Sequence, residues 1–190
     1  MNLPNRLTLG RLVLTVAFLG VVFWSFPFSN TCSLVLFVVA SVTDILDGRI
    51  ARRHRLITDF GILMDPLADK ILICSAFIAF VGREQVAAWM VVIIVARELA
   101  ITGLRLLAAS KQVVLAAEGY GKHKTFSQVI AIISVLVLAS YPEWGEWGKW
   151  LFHGWVPAFA ELAKWVAVAL TLVSGALYLS RNRNLFLKDL

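Results

Sequence analysis

Asp44-Ile45-Leu46-Asp47-Gly48-Arg49-Ile50-Ala51-Arg52, then eight residues, then Gly61-Ile62-Leu63-Met64-Asp65-Pro66-Leu67-Ala68-Asp69, is the stretch on which the reading of this chain turns. Four carboxylates stand in an otherwise apolar sequence, three residues apart in the first pair and four in the second. At about 100° per residue, Asp44, Asp47, Gly48 and Ala51 fall within an arc of about 100° on one helix. Gly61, Asp65 and Asp69 form a narrower stripe on a second. Two such stripes facing each other make an oxygen-rich cage, and the glycines admit a ligand close to the backbone. Helix capping, or pairing with nearby arginines, would not call for two clustered pairs with glycines in phase.

The surroundings of this stretch are those of a membrane protein. The chain has 190 residues, 59% of them hydrophobic, and a mean hydropathy of +0.80. A soluble core of this length cannot absorb that much apolar surface, so the solvent is a bilayer. Six apolar stretches are read at 8–24, 32–50, 66–82, 86–108, 126–141 and 155–179. Each is near the ~20 residues needed to cross ~30 Å of hydrocarbon. The second, third and fifth are short or polar at one end, and those ends must face protein or water. The expected fold is therefore all-α, one membrane domain over 1–190 with six transmembrane helices. Residues 1–7, with Pro4 and Asn5, are expected as a short surface segment before the first span. That span is expected to be retained, because Ser25-Phe26-Pro27-Phe28-Ser29-Asn30 makes a poor cleavage site. Cys32 and Cys74 are too few and too far apart in topology for a disulfide or a zinc site.

The net charge of +6 is unevenly placed. Arg6 and Arg11, then Arg49, Arg52, Arg53 and Arg55, then Arg105, Lys111, Lys122 and Lys124, then Arg181, Arg183 and Lys188 all fall on one side of the expected spans. The opposite connections hold Arg83 and Lys149, offset by Glu84, Glu143 and Glu146. The positive-inside rule makes both termini and the aspartate cage cytoplasmic. Because the cations track loop topology rather than one face, a nucleic-acid partner is excluded. Trp24, Trp89, Trp144, Trp147, Trp150 and Trp155 lie at the opposite ends, where amphipathic rings favour the headgroup level. The spacing of Trp144, Trp147 and Trp150 predicts a short interfacial anchoring helix over 143–152.

A charged Asp at mid-membrane costs about 2.5–3.5 kcal/mol on insertion scales. Two divalent cations held by Asp44, Asp47, Asp65 and Asp69 would compensate, and hard oxygen ligands suit Mg²⁺ or Mn²⁺. Zinc is disfavoured, since no Cys or His lies at ligand spacing; His54 sits in the basic loop. Two metals at a carboxylate cage serve phosphoryl-type transfer. At the end of membrane helices, such a site can hold a lipid tail and a soluble headgroup together. The residues alone thus predict a metal-dependent enzyme acting on a phosphate-bearing lipid.

The pattern DxxDGxxAR, eight residues, GxxxDxxxD over 44–69 resembles the signature of the CDP-alcohol phosphotransferase family, with every motif position met. The resemblance implies displacement of CMP from a CDP-linked donor by an alcohol. It makes Asp44, Asp47 and Asp65 metal ligands, and Asp69 both a ligand and the catalytic base on the acceptor hydroxyl. A base touching a divalent cation has its acidic form disfavoured and is available at neutral pH. Gly48, Ala51, Arg52 and Gly61 would line the donor's cytidine diphosphate pocket, with Arg52 on phosphate. A homodimer is also implied by the likeness alone.

The acceptor side is read from Arg97, which lies inside the fourth stretch after Val91-Val92-Ile93-Ile94-Val95-Ala96 and needs a partner. Glu98 points about 100° away, so mutual neutralisation of the two is not expected. Arg105 returns to within about 80° of the Arg97 face. Gly121, Lys122, Lys124 and Thr125 open the fifth stretch. Arg97, Arg105, Lys122, Lys124 and Thr125 are the candidate acceptor-phosphate residues; the bland alternative is a membrane salt bridge with snorkelling lysines.

Arg97-Glu98, Gly103-Leu104-Arg105, Gly121-Lys122-His123-Lys124-Thr125, Pro4-Asn5-Arg6-Leu7-Thr8 and Asp65-Pro66-Leu67-Ala68-Asp69-Lys70 look like segments of the bacterial phosphatidylglycerophosphate synthase branch of that family. The likeness covers about residues 3–130. It implies CDP-diacylglycerol and sn-glycerol 3-phosphate as substrates and the inner or plasma membrane of a bacterium as location. An inositol phosphate acceptor would also suit the cations. A divalent-cation transporter is the reading from another class, though all four acids lie near one face with no second half echoing them.

Overall fold

The structure is a computed structural model that describes residues 3–54, 59–111 and 120–183; within them, side chains are described except those of 3–8, 44–54, 59–66, 69, 110 and 120–122. The described residues form seven α-helices and one 3-10 turn, with no strand. These are α1 (Leu3–Phe23), α2 (Ser29–His54), α3 (Asp59–Gly82), α4 (Ala88–Ser110), α5 (Tyr120–Ser140), the 3-10 turn (Tyr141–Trp144), α6 (Gly145–Phe152) and α7 (Val156–Arg181). Each of the six apolar stretches falls on one long helix, and the predicted 143–152 helix appears as α6. The first helix differs from expectation: α1 starts at Leu3, so the described part of the expected surface segment is continuous with it. Pro4 lies in the first turn, where its missing N–H removes no helical bond.

Helix α1 packs against α2 and α3, α2 against α5, α5 against α7, and α7 against α4, which also meets α3. The seam between them is filled by Phe18, Phe37, Phe77, Phe80, Ile94, Ile132 and Leu136, all essentially inaccessible. Phe18 and Phe37 meet at 5.8 Å between ring centroids, joining α1 to α2. The exterior is apolar as well: Val16, Val35, Ile78, Val92, Leu99, Leu106, Leu162 and Val173 are exposed. An apolar core inside an apolar surface suits lipid rather than water. The run His123–Phe152 and α7 are long and apolar enough to cross a membrane; Leu9–Phe23, Ser29–Thr43 and Lys70–Gly82 are shorter apolar stretches.

Five hydroxyl side chains inside the bundle are satisfied within their own helices. Thr15, Ser33, Ser134, Thr171 and Ser174 each bond a carbonyl three or four residues back. Between helices, Gln128 Nε2 donates to Thr171 Oγ1 at 3.1 Å, tying α5 to α7. In hydrocarbon such groups have no water to turn to, so intrahelical back-bonding keeps them tolerable.

One end of the bundle is closed by a polar clasp. The Glu143 carboxylate accepts from Asn30 N (3.0 Å), Asn30 Nδ2 (2.8 Å), Thr31 N (2.9 Å) and Thr31 Oγ1 (2.6 Å). Two of these donors are unsatisfied N–H groups at the start of α2, where the helix dipole also favours an anion. Arg83 Nη2 donates to Asn30 Oδ1 at 2.7 Å, which adds the end of α3. Lys164 Nζ on α7 donates to the Gln85 carbonyl at 3.0 Å. The tryptophans divide here. Trp24, Trp89, Trp147, Trp150 and Trp155 are exposed, as a headgroup belt requires, but Trp144 is half-buried and donates Nε1–H to Thr31 Oγ1 at 2.9 Å. Gly148 lets α6 fold back on the turn, since a Cβ there would lie 2.3 Å from the Tyr141 carbonyl oxygen.

Burial raises the proton affinity of Glu143, but the Thr31 and Asn30 hydrogen bonds outweigh it and hold the carboxyl below its ordinary range. A depressed folded value stabilises the fold above the unfolded value, about pH 4.3. That contribution is lost as pH falls through the lower folded value. The thermal midpoint of detergent-solubilised protein should therefore fall across this acid window. Glu143→Gln should lower the midpoint at neutral pH and remove this component of its acid dependence.

Candidate active site

The motif occupies the last part of α2 and the first part of α3, which residues 55–58 connect along the chain. Asp44, Asp47, Gly48, Ala51 and Arg52 fall on α2, and Gly61, Asp65 and Asp69 on α3. The helical register expected for both stripes therefore holds. The side chains of all eight, and with them the facing of the two stripes, lie outside the described residues. Helix α1 packs on both of the helices that carry the motif. Among the described residues, no group of three His, Cys, Asp or Glu could hold a metal ion. The four aspartates supply only oxygen donors, which fits a hard divalent cation and not a soft one.

Next to Asp69, Lys70 is described, and its ammonium donates to Thr102 Oγ1 on α4. Thr102 in turn donates to the Glu98 carbonyl at 2.7 Å. This chain of bonds links the motif-bearing α3 to the polar face of α4. On that face, Glu98 Oε1 receives Arg97 Nη1 at 3.3 Å and also the Lys124 ammonium from α5. The Glu98 and Lys124 side chains are 8% and 4% exposed, so this is a buried ion cluster. Arg97 Nε is buried without a hydrogen-bond partner among the described residues.

The expectation that Arg97 and Glu98 would not neutralise each other is corrected by this geometry. Their Cα–Cβ directions do diverge by about 100°, but the arginine stem is long enough to bring the guanidinium back. The sequence signal for Glu98 is an intramembrane acid beside intramembrane cations. Arg105 does not join the cluster. Its Nε donates to Tyr178 Oη on α7 at 3.4 Å, and its guanidinium carbon lies 5.8 Å from the Tyr178 ring centroid. Thr125 is half-buried, and the Lys122 side chain lies outside the described residues. Arg97, Arg105 and Lys124 thus come from two helices and share Glu98 or α7 as supports.

Residues 1–176 match the CDP-alcohol phosphatidyltransferase family. The chain belongs to that family. It is similar to the CDP-diacylglycerol–glycerol-3-phosphate 3-phosphatidyltransferase of Bacillus subtilis (strain 168), 40% identical with 95% of each chain covered. The protein of that name from Rickettsia bellii is 33% identical, with 97% of each covered. That from Mycoplasma pneumoniae is 35% identical, with 93% of this chain and 86% of the relative covered. The family resemblance expected from residues 44–69 is borne out, and with it an enzyme of the phosphatidyltransferase class. Members of this family are generally divalent-cation dependent, and the family and the apolar helices together fit a membrane protein. The transporter reading falls with it.

Removing one partner from a buried ion cluster leaves an uncompensated charge, at a cost of about 3–5 kcal/mol. Glu98→Gln should therefore lower the thermal midpoint in detergent sharply. Adding Lys124→Gln should recover part of the loss, a coupling that a double-mutant cycle reads directly.

Proposed function

We propose that this protein transfers a phosphatidyl group from CDP-diacylglycerol to sn-glycerol 3-phosphate, releasing CMP and phosphatidylglycerophosphate. The observation that carries this reading is a complete 44–69 motif in a chain whose relatives bear that activity in their names across nearly their whole length. The acceptor hydroxyl attacks the phosphorus that bears diacylglycerol, the bond from that phosphorus to CMP breaks, and CMP takes the electron pair. Asp69 accepts the hydroxyl proton. Asp44, Asp47, Asp65 and Asp69 would hold two Mg²⁺ or Mn²⁺ ions. When bound, the ions neutralise the diphosphate and ease departure of CMP. Gly48, Ala51 and Gly61 leave room for the nucleotide, and Arg52 pairs with its phosphate.

The acceptor phosphate is assigned to Arg97, Arg105, Lys122, Lys124 and Thr125. Within this group, Arg105 is exposed, whereas Glu98 holds Arg97 and Lys124. The six long helices are assigned as six spans, with a cytoplasmic active site in a bacterial plasma membrane. The charge distribution supports this, because the basic connections and the motif share one end. A homodimer is part of the proposal on family likeness.

Purified protein should release CMP from CDP-diacylglycerol only when both glycerol 3-phosphate and Mg²⁺ or Mn²⁺ are present. Full activity in excess chelator would overturn the metal assignment, and equal activity with inositol phosphate would overturn the acceptor. Asp65→Asn should be severe, since it removes ligand charge with little change in size. Losing a charge-assisted hydrogen bond costs roughly 1.5–3 kcal/mol, about ten- to a hundredfold in kcat/KM. Arg105→Ala should raise KM for glycerol 3-phosphate and spare CDP-diacylglycerol; Arg52→Ala should do the reverse.

Topology is checked separately by cysteine labelling in sealed cells. Cysteines placed at His54 and Arg183 should react only with reagent admitted to the cytoplasm, and one at Glu146 with reagent outside. Outside labelling at position 54 would reverse the orientation.

A further inference from the structure

We infer that α7, which carries no motif residue, is the back wall of the acceptor site, with Gly175 and Tyr178 as positioning residues for Arg97 and Arg105. This rests on the assignment of those arginines to the acceptor phosphate. Gly175 is buried against the Arg97 stem: a Cβ added there would lie 2.9 Å from Arg97 Cγ and 3.9 Å from Arg97 Cβ. Those atoms are near the backbone of α4, so the clash cannot be relieved by swinging a distant side-chain tip. The absence of a side chain at 175 therefore lets Arg97 lie along α7 with its Nη1 on Glu98.

Tyr178 stands one turn further along the same helix and is 3% exposed. Its ring lies beneath the Arg105 guanidinium at 5.8 Å, and its hydroxyl accepts from Arg105 Nε at 3.4 Å. Ile101 and Leu104 of α4 pack against Tyr178 and hold it in place. A guanidinium over an aromatic face within about 6 Å is attracted by the ring, and the fit fixes its plane. With Nε turned to Tyr178, the terminal nitrogens of Arg105 remain to meet an anion in the forked geometry that phosphate favours. One helix thus sets the stem of one arginine and the plane of the other.

The test is steady-state kinetics of the full-length enzyme in detergent–lipid micelles with CDP-diacylglycerol and glycerol 3-phosphate. Tyr178→Leu removes ring and hydroxyl and should raise KM for glycerol 3-phosphate roughly three- to tenfold, with kcat and KM for CDP-diacylglycerol within about twofold of the unaltered enzyme. Tyr178→Phe, which keeps the ring, should recover most of that loss. In an Arg105→Ala background, Tyr178→Leu should add less than about a twofold change, because its target is gone. Gly175→Ala should also raise the glycerol 3-phosphate KM. Where that variant does not fold, the Tyr178 series decides by itself.

A Tyr178→Leu effect that lowers kcat alone, weakens both substrates equally, or persists in the Arg105→Ala background would overturn the proposal and leave Tyr178 a packing residue. Failure of the acceptor assignment looks different. If the unaltered enzyme uses inositol phosphate and not glycerol 3-phosphate, the same KM split measured with that acceptor still tests Gly175 and Tyr178.

Discussion

Burying charge in an apolar bundle is permissible only when its partners are built in, and the Glu98 cluster is where this protein meets that constraint. Glu98 lies on α4, Lys124 on α5, and Arg97 reaches Glu98 while lying along α7. One carboxylate therefore ties α4 to α5, and α7 packs against the stem of the arginine that it holds. Lys70 extends the connection to α3 through Thr102, one residue from Asp69. Packing of apolar surface alone is tolerant of small slips, and this network adds polar links between α3, α4 and α5.

The opposite end of the bundle solves a simpler problem. Glu143 satisfies the first N–H groups of α2 and draws the 3-10 turn and the end of α3 together. It places no charge at the motif end, and its neighbours Trp147 and Trp150 are exposed. The acidic and aromatic residues there serve closure and surface contact, with Arg83 and Lys164 as local partners, while the aspartate motif lies on the far ends of α2 and α3. This separation of roles along the bundle axis matches the separation of charge along the sequence.

Much of the architecture was legible because hydrophobic runs and helices are the same objects in a membrane protein. The six apolar stretches correspond to α1 through α5 and α7, and the spacing of Trp144, Trp147 and Trp150 anticipated α6. The family was legible because the 44–69 motif combines residue type with fixed spacing. The partnership of Arg97 with Glu98 was not, since helical angles describe where a side chain leaves the backbone and not where a long stem ends. Trp144 was misassigned in part for a related reason: its Thr31 partner is 113 residues away, and no local pattern announces it.

The contribution of α7 was hidden more deeply. Gly175 matters because of what it lacks, and a glycine in an apolar helix reads as helix packing. Tyr178 reads as an interfacial aromatic, and it also lies beyond the residues 1–176 that match the family. Both acquire meaning only when α7 is laid against α4, because that contact sets the Arg97 stem over one and the Arg105 guanidinium over the other. An arginine that must recognise phosphate needs a defined plane, and an aromatic face supplies one without adding a competing charge. A carboxylate in place of Tyr178 would hold Arg105 more strongly but would also neutralise it. A tyrosine is thus the better support for Arg105 under the proposal that its positive charge meets the acceptor phosphate.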